Sequence, residues 1–204
     1  MIRTTLLLAA AALTLCACGA FKPVAADPLS GAEHLRLGGI FEAKGDYALA
    51  YAEYCKAAGL DEADAAAWFA AANMELRLGK LTEAEWDYKK AVLLAPDEAA
   101  YHNNLGWLYM EIGDLVKAGA EVETARALDP AHSYVYLDSL GVIAMRAGNL
   151  EAARRYLEEA VAGVPAAELA GAREIYTHLL ELYGLTGDSD KAAMVEKLLG
   201  KEKQ

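Results

Sequence analysis

The chain has 204 residues, with 30 acidic against 19 basic side chains and a formal net charge of −11. Its hydrophobic share of 55% rests largely on alanine and 24% of residues are charged, which excludes both a disulfide-dense mini-scaffold and a low-hydrophobicity disordered polymer. The acidity disfavours nucleic acid and anionic lipid surfaces, whose phosphates would repel it, and leaves basic or apolar partners open. Alanine-rich composition favours helix and close helix packing, so an all-α chain of one or at most two small domains is expected.

The first element in chain order is a leader. Arg3 supplies one positive charge and an apolar run from Leu6 to Leu15 follows; that run is too short for the ~20 residues of a membrane-spanning helix and reads as a secretory signal. By composition alone it could be an ordinary cleaved signal peptide. Its end, Leu15-Cys16-Ala17-Cys18-Gly19, resembles the bacterial lipobox, with a leucine three places and a small residue one place before the cysteine. The resemblance implies a lipoprotein signal peptide over 1–17 and lipidation of Cys18, while Cys16 is lost with the leader because bulky Leu15 precedes it. Gly19, where an inner-membrane retention signal would place Asp, implies anchoring at the outer membrane, facing the periplasm. Two or three acyl chains at ~0.8 kcal/mol per buried CH₂ make such an anchor effectively permanent.

Residues 18–30, with Pro23 and Pro28 and no sustained periodicity, read as a tether. Beyond Ser30 the sequence repeats. Small residues recur at Gly38, Ala72, Gly106 and Gly141, spaced 34, 34 and 35 apart. Ala50, Ala84, Ala118 and Ala153 keep the same steps, as do Ala57, Ala91, Ala125 and Ala160. Turn glycines fall at Gly45, Gly79, Gly113 and Gly148, with Gly187 further on, larger residues at Tyr54, Tyr88, Val122 and Leu157, and prolines at Pro96, Pro130 and Pro165.

This register resembles the tetratricopeptide repeat, in which each unit is a pair of antiparallel helices. The resemblance implies an all-α tetratricopeptide-repeat superhelix, an α-solenoid of four to five helix hairpins, in a domain over 31–204. The units are about 31–64, 65–98, 99–133 and 134–167, with a degenerate capping unit over 168–204. Ser133 is one residue more than the register needs, and Leu180 stands where a small residue is due, so the last unit is expected to be a capping pair with a longer first helix.

The columns also have local physical meaning. Gly38 and Ala50 are expected to face each other and let the two helix axes approach closely. The turn glycines end first helices where a positive φ is needed, Asp46, Asp114 and Asn149 follow as caps, and the prolines stop second helices. Ser30 to Glu33 and Thr82 to Glu85 have capping-box spacing.

No catalytic or metal motif stands out: the chain has no GxSxG, HExxH or phosphate-cradling loop, and no CxxC beyond the leader. Cys55 is expected to be a buried, inert thiol. His34 and His102 share a repeat position with Trp68 and Leu137, which makes them packing residues, and His132 and His178 lie elsewhere in the register. In a solenoid of hairpins the first helices line the concave face. Counting from Ala72, Gly106 and Gly141 puts Phe69, Asn73, Leu76, Asn103, Trp107, Met110, Asp138, Val142 and Met145 on it, a mixture of aromatics, methionines and amides suited to a peptide.

Some tetratricopeptide domains clamp a C-terminal carboxylate with basic residues. Asn73 and Asn104 match that arrangement, but Phe69, Val135 and Ser139 occupy the basic places, so an acidic C-terminus is not the expected ligand. The whole layout resembles the pilotin-like tetratricopeptide lipoproteins that help pili or secretins assemble. It implies a non-enzymatic adaptor without cofactor or metal, whose partner is a basic or apolar segment of an envelope complex. A scaffold for peptidoglycan synthases or hydrolases has the same layout, and an enzyme would need a pocketed cluster of titratable groups.

Overall fold

The computed structural model describes residues 27–165 and 172–201. The expected leader, the lipidation site Cys18 and the tether as far as residue 26 lie outside the described residues. Within them, ten α-helices follow one another: α1 (Gly31–Lys44), α2 (Tyr47–Leu60), α3 (Ala65–Arg77), α4 (Leu81–Leu94), α5 (Ala99–Ile112), α6 (Leu115–Leu128), α7 (Ser133–Arg146), α8 (Leu150–Gly163), α9 (Arg173–Thr186) and α10 (Ser189–Lys201). They pair as five hairpins, each packed on the next, with no strand among the described residues.

Helix starts are written locally. Ser30 Oγ accepts from the Glu33 amide at 3.4 Å while Glu33 Oε2 accepts from the Ser30 amide at 2.8 Å, a complete capping box at the start of α1. Asp64 accepts from the amides of Ala66 and Ala67, Asp114 from Lys117, and Asn149 from Ala152. Two expected caps fail. Asp46 precedes α2 without a side-chain bond to its amides. Thr82 is already inside α4, which begins at Leu81, and the carboxylate that was to complete the box, Glu85, instead accepts from Lys89 and the Tyr109 hydroxyl. All five turn glycines have φ between +71° and +91°, a region in which any side chain would be strained. The second helices stop just before Pro96 and Pro165 at Leu94 and Gly163, and Pro130 opens a short 3₁₀ turn, Pro130–His132. That turn absorbs the extra residue ahead of α7 and is held by Asp129, which meets His132 at 2.9 Å and the Tyr136 hydroxyl at 3.0 Å.

The small-residue column allows the close approach expected of it, mainly by receiving a large side chain. A Cβ on Gly38 would run into the Tyr54 ring; on Gly106 it would lie 2.6 Å from Val122 Cγ2 and on Gly141 2.5 Å from Leu157 Cγ. Each glycine thus receives the large residue of its own second helix, and at Gly106 the carbonyl of the alanine-column residue Ala118 also lies 3.1 Å from the same point. Ala50, Ala84, Ala118 and Ala153 are also fully buried, so both columns draw the helices of a pair together. The core runs as successive clusters: Ala72, Tyr88, Leu105, Leu108, Val122 and Leu140 join α3 to α7, Leu157, Leu179 and Leu182 fill the last hairpins and meet the central cluster at Met145 and Tyr156, and Tyr54, Ala71 and Met74 form a cluster of their own between the first two hairpins. Burying each such large side chain contributes about 1.5–3 kcal/mol.

The last hairpin departs from this pattern, though not by a longer first helix: α9 has 14 residues, as α1, α5 and α7 have. Leu180 sits in the small-residue column, half-buried, and α10 packs on α9 less closely than the other second helices do on their partners. No helix among the described residues is long and apolar enough to cross a membrane.

Candidate partner-binding groove

Successive first helices adjoin one another, and two chambers open between them. The first, of about 430 Å³, is lined by Glu42 of α1, Asn73, Leu76 and Arg77 of α3, Tyr88 of α4, and Asn104, Trp107 and Glu111 of α5. The second, of about 340 Å³, is lined by Trp107, by Val142, Met145 and Arg146 of α7, and by His178, Glu181 and Leu185 of α9. Trp107 is the shared wall, and its indole Nε1 donates to Ser139 Oγ at 3.1 Å, which fixes the ring between α5 and α7.

Asn73 is the polar node of the first chamber. Its Oδ1 accepts from the Tyr88 hydroxyl at 2.6 Å and from Asn104 Nδ2 at 2.9 Å. Burial pushes the Tyr88 hydroxyl well above its usual pKa, so it stays a donor. Two donors on one oxygen fix the Asn73 amide, which leaves its Nδ2 hydrogens, and the Oδ1 of Asn104, to a ligand. The rim is mixed in charge. Glu42 accepts from the Tyr54 hydroxyl at 2.7 Å, and Arg146 binds Glu111 at 2.8 Å and the Met110 carbonyl at 3.3 Å. In the second chamber His178 Nδ1 meets Asp138 Oδ1 at 2.8 Å, and this bond holds the imidazole above its usual pKa.

The sequence-selected residues divide accordingly. Asn73, Leu76, Trp107 and Met145 line a chamber and are half-buried. Val142 lines the second chamber although it is only 8% exposed, and Asp138, at 7%, acts through His178. Met110 is not on the groove: at 2% exposure it belongs to the core between α5 and its neighbours. Phe69 stacks on Tyr101 with ring centroids 4.4 Å apart, outside both chambers. Asn103 lines neither chamber and its Oδ1 is buried without a hydrogen-bond partner among the described residues; its neighbour Asn104 is the groove asparagine. Counting in threes and fours missed a further column, five residues after each small residue, where Arg77, Glu111 and Arg146 stand. That register was present in the sequence. His178, Glu181 and Leu185 had no such signal, because the last unit breaks register.

Outside the groove, His34 and His102 are buried as packing positions should be, but each also has a carboxylate partner on its hairpin's second helix: Glu53 at 2.6 Å and Glu121 at 2.7 Å. Cys55 is free and half-buried in α2, and burial pushes its thiol up, away from the reactive thiolate. Glu158 accepts from Tyr183 and Lys191. Among the described residues no group of three or more His, Cys, Asp or Glu side chains could hold a metal ion.

Residues 34–64 and 70–133 match sequence profiles of the tetratricopeptide repeat. No curated protein sequence matches the chain significantly. Solved structures are similar to it at the level of fold. PilW, a type IV pilus biogenesis factor, superposes with a TM-score of 0.74 at 22% identity, over 87% of this chain and 79% of that one. PilF of Pseudomonas aeruginosa gives 0.72 at 17% identity, over 84% and 76%. The tetratricopeptide protein TTC0263 of Thermus thermophilus gives 0.73 at 22%, over 85% and 91%. The chain spans only 32% of the length of the chain it resembles in the APC/C hetero-tetramer Cut9–Hcn1. All of these identities lie below a quarter, so the likeness concerns architecture.

Proposed function

We propose that this tetratricopeptide-repeat solenoid is a non-enzymatic adaptor that holds an extended segment of a partner protein during assembly of an envelope complex, a pilus or a secretin. The observation that carries the reading is the pair of chambers joined across Trp107, with the Asn73–Asn104 amides in one and apolar Val142, Met145 and Leu185 in the other. An extended peptide presents alternating N–H and C=O groups, which a fixed asparagine amide can match, while indole and thioether surfaces accept varied apolar side chains. The net charge of −11 favours a partner segment of basic or apolar character. The fold likeness to PilW and PilF supports pilus-type assembly as the setting.

Anchoring belongs to the same proposal: lipid on Cys18 holds the domain at the outer membrane on its periplasmic side, and the lipobox-like end of the leader supports it. Confinement to a surface raises the effective concentration of a groove-bound segment there, which speeds assembly without covalent chemistry. A photo-crosslinker at position 107 in intact cells is expected to capture the partner. Trp107→Ala combined with Asn104→Ala should lower its recovery at least about tenfold at unchanged helical circular dichroism. Unchanged recovery would move the site off this groove. Cys18→Ser should release the protein from sedimented membranes; continued sedimentation would remove the anchor from the proposal and leave the groove standing.

A further inference from the structure

The fourth residue of the first helix carries a ring in each of the first three hairpins, and that ring reaches back to the segment entering the hairpin. Trp68 Nε1 donates to the Glu62 carbonyl at 3.0 Å, and His102 Nε2 meets the Pro96 carbonyl at 3.0 Å, six residues back in both cases. In the first hairpin the entering segment is Asp27 to Ser30. His34 there is 0% exposed, its Nδ1 meets Glu53 Oε2 at 2.6 Å, and its buried Nε2 has no hydrogen-bond partner. What faces that nitrogen is a carboxylate in place of a carbonyl, Asp27 Oδ2 at 3.6 Å.

The substitution changes the chemistry of the contact. Neutral imidazole has a single N–H; with the hydrogen on Nδ1 for Glu53, the Nε2 lone pair confronts an anion. The imidazolium has two N–H groups and can serve Glu53 and Asp27 together in charge-assisted bonds. Other charged groups about the ring are Glu33 and Arg36 on α1, which interact with each other and, for Glu33, with His34, and Lys56 on α2, whose Nζ lies 3.4 Å from Asp27 and 2.9 Å from Glu53. Lys56 stays charged throughout the range in which a histidine titrates, so it provides a constant attraction for Asp27 and His34 the variable one.

We propose that His34 is a proton-operated pin that fastens the entering segment at Asp27 to the first hairpin in mildly acidic solution and slackens it as the ring loses its proton. On the anchored reading, this joint sets how closely the solenoid follows its tether; the pin itself does not depend on the anchor.

The test is hydrogen exchange on the full chain at the Leu29 amide, which donates to Asp27 Oδ1 at 3.2 Å, with rates corrected for the intrinsic effect of pH. Protection should rise about fivefold between pH 8 and pH 5.5. Asp27→Asn keeps an acceptor for Leu29 but removes the charge, and should cut that rise to about twofold or less. Lys56→Met should lower protection at both pH values and keep the rise. Equal protection at the two pH values, a full rise in Asp27→Asn, or loss of the rise in Lys56→Met would each overturn the proposal.

Discussion

Hairpins one and three share a pair at two repeat positions that hairpin two lacks. In the outer two, histidine on the first helix meets glutamate 19 residues later on the second, His34 with Glu53 and His102 with Glu121. In hairpin two the same positions hold Trp68 and Asp87. The indole hydrogen goes to a main-chain carbonyl, and the buried Asp87, without an imidazole opposite, has the carboxylate of Glu75 as its charged neighbour instead. Burial first, and then the charge of Glu75, push Asp87 up to about 7. Two carboxylates can share a hydrogen bond only if one keeps a proton. The two buried acids therefore move in opposite directions: Lys56 and then His34 hold Glu53 down against its burial, while at Asp87 burial is reinforced by the charge of Glu75 and nothing opposes it.

The comparison can be broken most severely at His34. His34→Ala leaves Glu53 with Lys56 as its one remaining partner and opens a cavity in the first hairpin, and urea denaturation at pH 6 should show a loss of about 3 kcal/mol. A loss under about 1 kcal/mol would mean that Lys56 alone satisfies Glu53. The next largest effect concerns pH. Asp87 has its pKa raised in the folded state, so the folded chain binds more protons than the unfolded one between about 4 and 7, and stability falls as pH rises through that window. His178 acts in the same direction: its raised value means that its pair with Asp138 contributes fully below the unfolded histidine value and is lost at higher pH. Glu53, Glu85 and Glu158 are lowered, first by their lysine partners, and lose their contribution only in stronger acid. The domain should therefore be most stable near pH 5. Asp87→Asn should flatten the decline toward pH 7 and add about 1 kcal/mol at pH 8, read as the shift of the thermal midpoint across pH.

How much of this was legible in the sequence follows from how local each cause is. Turn glycines, proline stops and the Ser30 capping box act within a few residues, so the hairpins could be read directly. The Gly38 and Gly106 columns were recognised as close-packing positions, but their opposing residues, Tyr54 and Val122, depend on how one helix is rotated against the other, which a spacing of 34 does not encode. The groove was legible as a face and only partly as residues. Trp107 and Asn73 fall on it one residue after the small column, and Leu76 and Met145 four after it, whereas Met110 satisfies that second count and turns into the core. The histidine–carboxylate pairs escaped notice because a separation of 19 residues has no local signature; comparing columns between units, His with Trp and Glu with Asp, would have shown it.

The smallest effect gives the sharpest comparison. Trp68→His places the ring of hairpins one and three into hairpin two, and Asp87→Glu restores the missing methylene. Each alone should change stability little. The histidine loses the edge contact that Trp68 makes with Trp86 at 5.4 Å, about 0.5–1.5 kcal/mol, against a partly formed pair, and the longer acid alone remains near Glu75 without an imidazole. Together they should rebuild the pair, giving a favourable coupling of about 1 kcal/mol in a double-mutant cycle at pH 6. A carboxylate paired with imidazolium no longer keeps a proton, so the decline that Asp87 causes should give way to one set by the imidazole, as at His178. A coupling near zero would show that the column does not transfer between hairpins, and that Glu75, rather than the absent histidine, sets the state of Asp87.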